Sequence, residues 1–390
     1  MDIPKYRHPP YTSLNKLCGM LRISIFDLEC LLSAPVELRY KEPKTAAYKK
    51  DGTKRIIKCP SKELRSIQEK INNNIFKTGF YWPKYLFGSI PTSSALSNRD
   101  YVSCVDLHCR AKSICKIDIS NFFDNVHISL VRDMFKNLCH FSDDVSDVLA
   151  ELCCYKEFLV QGALTSSYIA TLILWDEEPN IVENLKRKGL VYTRLVDDIT
   201  VSSKVSNYNF DIATKRIESM LLKKDLPINK EKFEYSYLSI EPLTVHGLRV
   251  SFDKPKLPQN ESNNIRASVK NLENLAGLDG ARTTMWFRTD YNRCMGRVNK
   301  LARVKNNKHK ALVKRLKAID PLPSLNDIKY ARLRYRNLKN DYTRKKDTYN
   351  YKKRYHKLNQ RLHLISKTYP DIAKKLRESL KSIPPDDKKK

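Results

Sequence analysis

Apolar positions along the chain fall into two kinds of period. After Pro60, Leu64, Ile67, Ile71 and Ile75 recur every three or four residues, which predicts an amphipathic helix. Just before it, 46–57 reads as strand, Asp51-Gly52 turn, strand. The short run 114–120 predicts a buried strand, and helical patterns follow to about 156. Gln161-Gly162 interrupts the chain ahead of a predicted helix over 165–185. Residues 190–203 then read as two strands about a tight turn at Asp197-Asp198, and 209–222 as an amphipathic helix. Further strands are expected over 233–240 and 243–252. Beyond Pro255 and Pro258 the pattern becomes helical, with helices near 261–275, 284–304 and 308–318. After Pro321-Leu322-Pro323 one long helix is predicted from about 325 to 367, and the tail from Ile383 is expected to be disordered. The class is α+β, with antiparallel strands presenting acidic residues at a turn.

Composition sharpens the division. Of 390 residues, 41% are apolar, enough for a sizeable core. The net charge of +30 is unevenly placed: +24 falls in 253–390 and +6 in the first 252 residues. A near-neutral part followed by a strongly basic one predicts binding to a polyanion. A basic membrane-surface protein competes with this reading, but no lipidation signal or apolar run of membrane length supports it. The first residues lack a secretory pattern, so the expectation is a cytoplasmic protein. Ten cysteines form no Cys-x-x-Cys pair, which predicts free, mostly buried thiols rather than a zinc site.

Three short segments carry candidate chemistry. Asp197 and Asp198 end an apolar strand; adjacent carboxylates raise one another's pKa unless a cation neutralises them, and hard divalent ions take oxygen ligands. An Asp-Asp pair alone is more often a solvated turn. Asp118 interrupts the apolar strand between Ile117 and Ile119, so alternation turns it away from both. With Asp197 on a neighbouring strand, three carboxylates suffice for two metal ions. Gln161-Gly162 precedes a helix start, where flexible backbone favours phosphate; a plain helix-entry loop is the simpler alternative.

The order and spacing of these segments resemble a known family. Asp118 with Phe123 five residues on, Gln161-Gly162, Asp197-Asp198, Asn229-Lys230-Glu231-Lys232 and Val245-His246-Gly247-Leu248 are similar to the successive motifs of reverse transcriptases, above all the bacterial retron-type and defence-associated ones. The likeness covers roughly 40–320. It implies a right-hand polymerase: fingers over 1–100, palm over 101–252, a helical thumb over 253–320, and a basic, tyrosine-rich helical extension over 321–390. It also implies roles for individual residues. Asp118, Asp197 and Asp198 are the catalytic carboxylates and, with the Ile119 carbonyl, hold two magnesium ions. Phe123 is the steric gate that excludes a 2′-hydroxyl. Gln161 and Gly162 meet the incoming nucleotide, Lys54 or Arg55 holds its triphosphate, and Lys232 is the proton donor to pyrophosphate. The turn at His246-Gly247 grips the primer. Implied partners are a noncoding RNA template, the nascent DNA and deoxynucleoside triphosphates; a partner protein or a second copy of the chain is left open, and a membrane is not expected.

This sequence departs from the family pattern in places. Leu195-Val196 stand where Tyr-x usually precedes the paired aspartates. Cys104-Val105-Asp106-Leu107-His108 stands for the retron-associated Asn-Ala-x-x-His, and Val245-His246-Gly247 for Val-Thr-Gly. An RNA-directed RNA polymerase and a catalytically silent RNA-binding scaffold are the alternatives. Tyr335, Tyr342 and Tyr349 fall seven apart, on one face of the predicted long helix. They either pack against the thumb, meet RNA bases among the neighbouring cations, or offer a hydroxyl as primer.

Overall fold

The structure, a computed structural model, describes residues 1–43, 45–48, 52–91 and 98–386. It separates into two compact units, Met1–Lys256 and Leu257–Lys390.

The first unit is built on a five-stranded sheet: β1 (Leu86–Phe87), β2 (Ser113–Asp118), β3 (Val191–Leu195), β4 (Asp198–Ser203) and β5 (Glu234–Tyr237), in the spatial order β1-β3-β4-β2-β5. All neighbours are antiparallel except β1 and β3. The register of β2 on β4 runs from Ser113↔Ser203 to Asp118↔Asp198. Side chains alternate along a strand, so this register decides which residues share a face. Cys115, Ile117, Ile199 and Val201 lie on one face. They are buried in a core that includes Ile217 and Met220 of the helix Asp211–Leu222. Lys116, Asp118, Asp198, Thr200 and Ser202 share the other. The apolar pattern thus builds the core on one side and leaves the polar set together on the opposite one.

The helix predicted after Pro60 is Lys62–Ile71, capped by Ser61 and prolonged by a wider turn, Asn72–Phe76. Leu64, Ile67, Ile71 and Ile75 are all buried. Of the expected hairpin over 46–57, the described residues show the antiparallel bridge Tyr48↔Lys54 and the Arg55 amide donating to the Ala47 carbonyl at 2.8 Å; Lys49, Lys50 and Asp51 lie outside the described residues. The helix expected over 165–185 is two, Ser166–Leu172 and Glu178–Arg187, the second beginning with Pro179 in its first turn. Proline tolerates that position and disfavours a continuous helix through it. The strands expected over 233–240 and 243–252 shorten to β5 and a tight hairpin, Thr244–Val245 with Leu248–Arg249.

The second unit is helical: Gln259–Ala276, Met285–Arg303, Lys308–Ala318, Leu325–Lys345, Tyr349–Ile365 and Pro370–Lys381. The predicted long helix is therefore broken. Thr348 caps a new helix by accepting from the Tyr351 amide, a local bond that ends the preceding helix. The tail is also not disordered where it is described: Ile383 is buried and its carbonyl accepts from the Tyr351 hydroxyl at 2.8 Å. Residues 387–390 of that prediction lie outside the described residues. Tyr351 is fully buried, and Tyr335, Tyr342 and Tyr355 pack against the same cluster, whereas Tyr349, beyond the break, is 79% exposed. The seven-residue face dissolves because its third member starts a separate helix.

Candidate active site

Asp118 ends β2, Asp198 begins β4, and the two are direct register partners. Asp197 sits in the two-residue turn between β3 and β4, and its carbonyl accepts from the Ile119 amide at 3.1 Å. Val196, the other turn residue, has φ +61°, a backbone region that a β-branched residue occupies only under strain of about 1–3 kcal/mol. The strand pairing thus brings Asp118 beside the Asp197-Asp198 pair, from which it lies far in sequence.

Their environment is short of positive charge. Burial raises the pKa of Asp197, with Asp118 adding to it; Lys232 and Arg55 oppose the rise. Asp198 is pushed up to about 6 by burial, then by Asp197 and Asp118. Among the described residues, the ammonium bound in the group is that of Lys232, whose Nζ lies 3.0 Å from each Asp118 oxygen. That bond raises the Lys232 pKa. Asn229 adds a second donor, Nδ2 to Asp118 Oδ2 at 3.1 Å, and its amide donates to the Asp118 carbonyl at 2.8 Å. Asp118 is thus held from both its side chain and its backbone. As the side chains stand, no three His, Cys, Asp or Glu among the described residues converge as a metal site. The donor chemistry nevertheless suits a hard divalent cation, because clustered carboxylates with raised pKa values are what such an ion neutralises. Lys232 is 64% exposed against 9% for Asp118, so the ammonium can leave for solvent while the carboxylate stays.

A cleft of about 390 Å³ opens on this face, lined by Lys116, Asp118, Asp198, Thr200, Lys232 and His246. His246 Nδ1 lies 3.8 Å from Asp198 Oδ2, and burial holds its pKa down at about 4. Its Nε2 is 3.7 Å from Cys104 Sγ, which contacts Thr193 Oγ1 at 3.3 Å. His108, fully buried, bridges Thr193 Oγ1 and Ser202 Oγ at 2.7 Å each. The two segments that depart from the retron-associated patterns therefore meet each other behind Asp198.

The remaining candidates lie on neighbouring loops. Gln161 bridges Ile57 in parallel, and its carbonyl accepts from the Lys58 amide at 2.9 Å. Gln161 Oε1 is 3.4 Å from Arg55 Nη1, and the Arg55 charge works to lower the Asp197 pKa. Lys54 is exposed and pairs through its backbone with Tyr48. Gly162 has φ +115°, and a Cβ there would stand 2.6 Å from the Lys58 carbonyl oxygen; only glycine fits. Phe123 lies on the one-turn helix Phe122–Asn125 after β2, half-buried against the core, its ring centroid 6.2 Å from that of Phe122.

Sequence reasoning assigned no role to Asn229 and passed over Arg194. Arg194 is fully buried and paired with Glu178. A basic residue inside an apolar strand is a visible signal for such a pair, but no spacing rule points to its partner on another element.

The comparisons with known proteins bear on this geometry. Residues 47–252 match the family described as reverse transcriptase (RNA-dependent DNA polymerase). The chain is 46% identical to the Retron Ec48 reverse transcriptase of Escherichia coli over 86% of its own length and 83% of the relative's. It is 35% identical to the Retron Se72 reverse transcriptase of Salmonella heidelberg (strain 579083-10), over 78% of each chain. Identity to the Retron Ec86 reverse transcriptase of Escherichia coli is 28%, over 68% of this chain and 79% of the other. A right-hand polymerase fold, an RNA template, nucleotide substrates and dependence on a divalent metal come with that membership. No helix of the described residues is long and apolar enough to cross a membrane. With its paired aspartates one strand from Asp118, the chain belongs to the retron-type reverse transcriptases and is an RNA-directed DNA polymerase.

Proposed function

We propose that the protein copies a dedicated noncoding RNA into DNA by nucleotidyl transfer with two magnesium ions, held by Asp118, Asp197 and Asp198 with the Ile119 carbonyl. The observation that carries this reading is the register pair Asp118↔Asp198 with Asp197 in the adjoining turn, three gathered carboxylates of which Asp197 and Asp198 have pKa values raised by burial and by their acidic neighbours. When bound, such ions supply an activated 3′-hydroxyl and charge neutralisation on the departing pyrophosphate. Lys232, which holds both Asp118 oxygens, would supply the proton for the departing pyrophosphate. Arg55 and Gln161 receive the triphosphate and base of the deoxynucleotide, and Gly162 lets the loop that bears Gln161 pack closely against the Lys58 backbone beside them. Lys54 is an alternative phosphate contact. Phe123 stands under the sugar as gate. His246 and Gly247 grip the primer end. In this reading 1–100 are fingers, 101–252 palm, 253–320 thumb, and 321–390 an RNA-tracking extension that uses the basic excess of the second unit. The setting is the cytoplasm, and the role is anti-phage defence, an extension from the retron likeness rather than from any residue; a partner effector protein or self-assembly fits that role.

Primer extension on an RNA template with deoxynucleotides and magnesium tests the reading. Asp197→Ala or Asp118→Ala should lower the rate by about a thousandfold or more, several kcal/mol of transition-state stabilisation. An active Asp197→Ala enzyme would remove the acids from the chemistry. Phe123→Ala should admit ribonucleotides; sugar discrimination equal to that of the parent would take Phe123 out of the gate.

A further inference from the structure

The hairpin that carries Asp197 and Asp198 is held from beneath by a network that lies outside every recognised motif. Arg194 is in register with Ile199, so it points to the core face of the sheet, opposite to Asp198. It is completely buried, and its five N–H groups all find acceptors. Nε donates to Glu178 Oε1 at 2.6 Å. Nη2 donates to Glu178 Oε2 at 2.8 Å and to the Thr171 carbonyl at 2.8 Å. Nη1 donates to the Ala170 carbonyl at 3.4 Å and to the Val196 carbonyl at 3.0 Å. Tyr192 donates its hydroxyl to Glu178 Oε1 at 2.7 Å, which orients the carboxylate. Burial works to lower the guanidinium pKa, and Glu178 more than reverses it, so Arg194 stays charged.

An ion pair alone does not require the bond to Val196. That residue has its backbone in the left-handed region, at φ +61°. Its side chain is confined too: a Cβ on Gly88, at the end of β1, would come within 2.8 Å of Val196 Cγ2. The turn is therefore gripped at three points, the Val196 carbonyl by Arg194, the Val196 side chain by the flat face of Gly88, and the Asp197 carbonyl by the Ile119 amide. A β-branched residue left free would relax out of this conformation, and both carboxylates would turn with it.

We propose that Arg194 is a positioning residue for nucleotidyl transfer: by holding the Val196 carbonyl it fixes the turn that aims Asp197 and Asp198 at Asp118. Glu178 and Tyr192 fix the guanidinium for that task. The inference rests on the reading of the three acids given above.

The full-length protein with two variants tests it. Arg194→Met/Glu178→Met removes both charges together, so neither is stranded in the core, yet leaves the Val196 carbonyl without its donor. Arg194→Lys keeps a charge beside Glu178 but lacks the second arm of the fork. Both should melt cooperatively, with kcat for primer extension reduced between about tenfold and a hundredfold and the deoxynucleotide KM within about twofold. Hydrogen exchange in the peptide spanning 190–203 should quicken at Val196–Asp198, a readout independent of turnover. Glu178→Gln keeps an acceptor for Nε and the bond to Val196, so it should retain kcat within about threefold even where its melting temperature falls. A folded double variant, or Arg194→Lys should the double variant not fold, with parental kcat and parental exchange overturns the proposal. So does a folded Glu178→Gln as slow as the double variant. An active Asp197→Ala enzyme would sink the metal reading itself; parental behaviour of the Arg194 variants beside an inactive Asp197→Ala sinks only the clamp.

Discussion

Asp198 in the first unit and Asp327 in the second are both flanked by charge, and their surroundings push them in opposite directions. Burial raises Asp198, and Asp197 and Asp118 raise it further, to about 6. Burial also works to raise Asp327, but hydrogen bonds from Arg288 and from the Ser324 backbone outweigh it and bring it down to about 2. Arg288 meets Asp327 through both nitrogens, at 3.1 and 2.9 Å, and Arg361 approaches at 3.4 Å. The same carboxylate also completes a capping box with Ser324 at the start of the helix Leu325–Lys345. Asp327 is satisfied and holds helices together. Asp198 lies beside other carboxylates, with the His246 ring, 3.8 Å from its Oδ2, as its ion-pair partner among the described residues. A strongly favourable carboxylate marks structure here, and an unfavourable one marks chemistry.

That contrast can be broken by substitution. The largest effect is expected from Asp327→Ala, which strands Arg288 in a half-closed environment and removes a cap. Unfolding in urea should show a loss of about 3 kcal/mol. Asp198→Asn should act the other way on the metal-free protein. The folded pKa of Asp198 lies above its ordinary value of 3.8, so its ionised form costs stability, a cost absent at low pH and complete above about 6. The side chain is 49% exposed, and solvent screening trims the gain from Asp198→Asn above pH 6 to about 1 kcal/mol. Asp327 obeys the opposite sign: its stabilisation is present above 3.8 and is lost as pH falls towards 2. Melting curves from pH 7 to pH 3 should therefore separate the two variants: the advantage of Asp198→Asn vanishes as pH falls from about 6 to 3.8, and the deficit of Asp327→Ala begins to shrink only below 3.8. A melting advantage of Asp198→Asn that persists at pH 3 would break the assignment. The smallest effect belongs to Tyr349→Ala: with a side chain 79% exposed, it should shift stability by no more than about 0.5 kcal/mol.

The site was legible because its chemistry is written in short, ordered segments. Asp118 between two isoleucines and Asp197-Asp198 after an apolar strand could be paired only because strand alternation and family spacing both allow it. The register Asp118↔Asp198 then brings them side by side. What stayed hidden depends on contacts across the fold. Arg194 and Glu178 belong to a strand and a helix, and their pairing follows from how the helix packs under the sheet. Lys232 read as a proton donor, while its bond to both Asp118 oxygens is set by the 3-10 turn Lys230–Lys232 that delivers it. In the second unit the helical period was clear, but a polar helix has no apolar stripe to announce where it stops. The break at Thr348 rests on a single capping hydroxyl, and the predicted long helix ran through it.

The contact between Gly162 and the Lys58 carbonyl couples two stretches a hundred residues apart. Backbone meets backbone there, with Ile57 bridging Gln161 and the Lys58 amide donating to the Gln161 carbonyl, so main-chain contacts tie the segment bearing Arg55 to the loop bearing Gln161. Under the proposed function, a shift of either segment would move both polar side chains, so Arg55 and Gln161 would reach the nucleotide together.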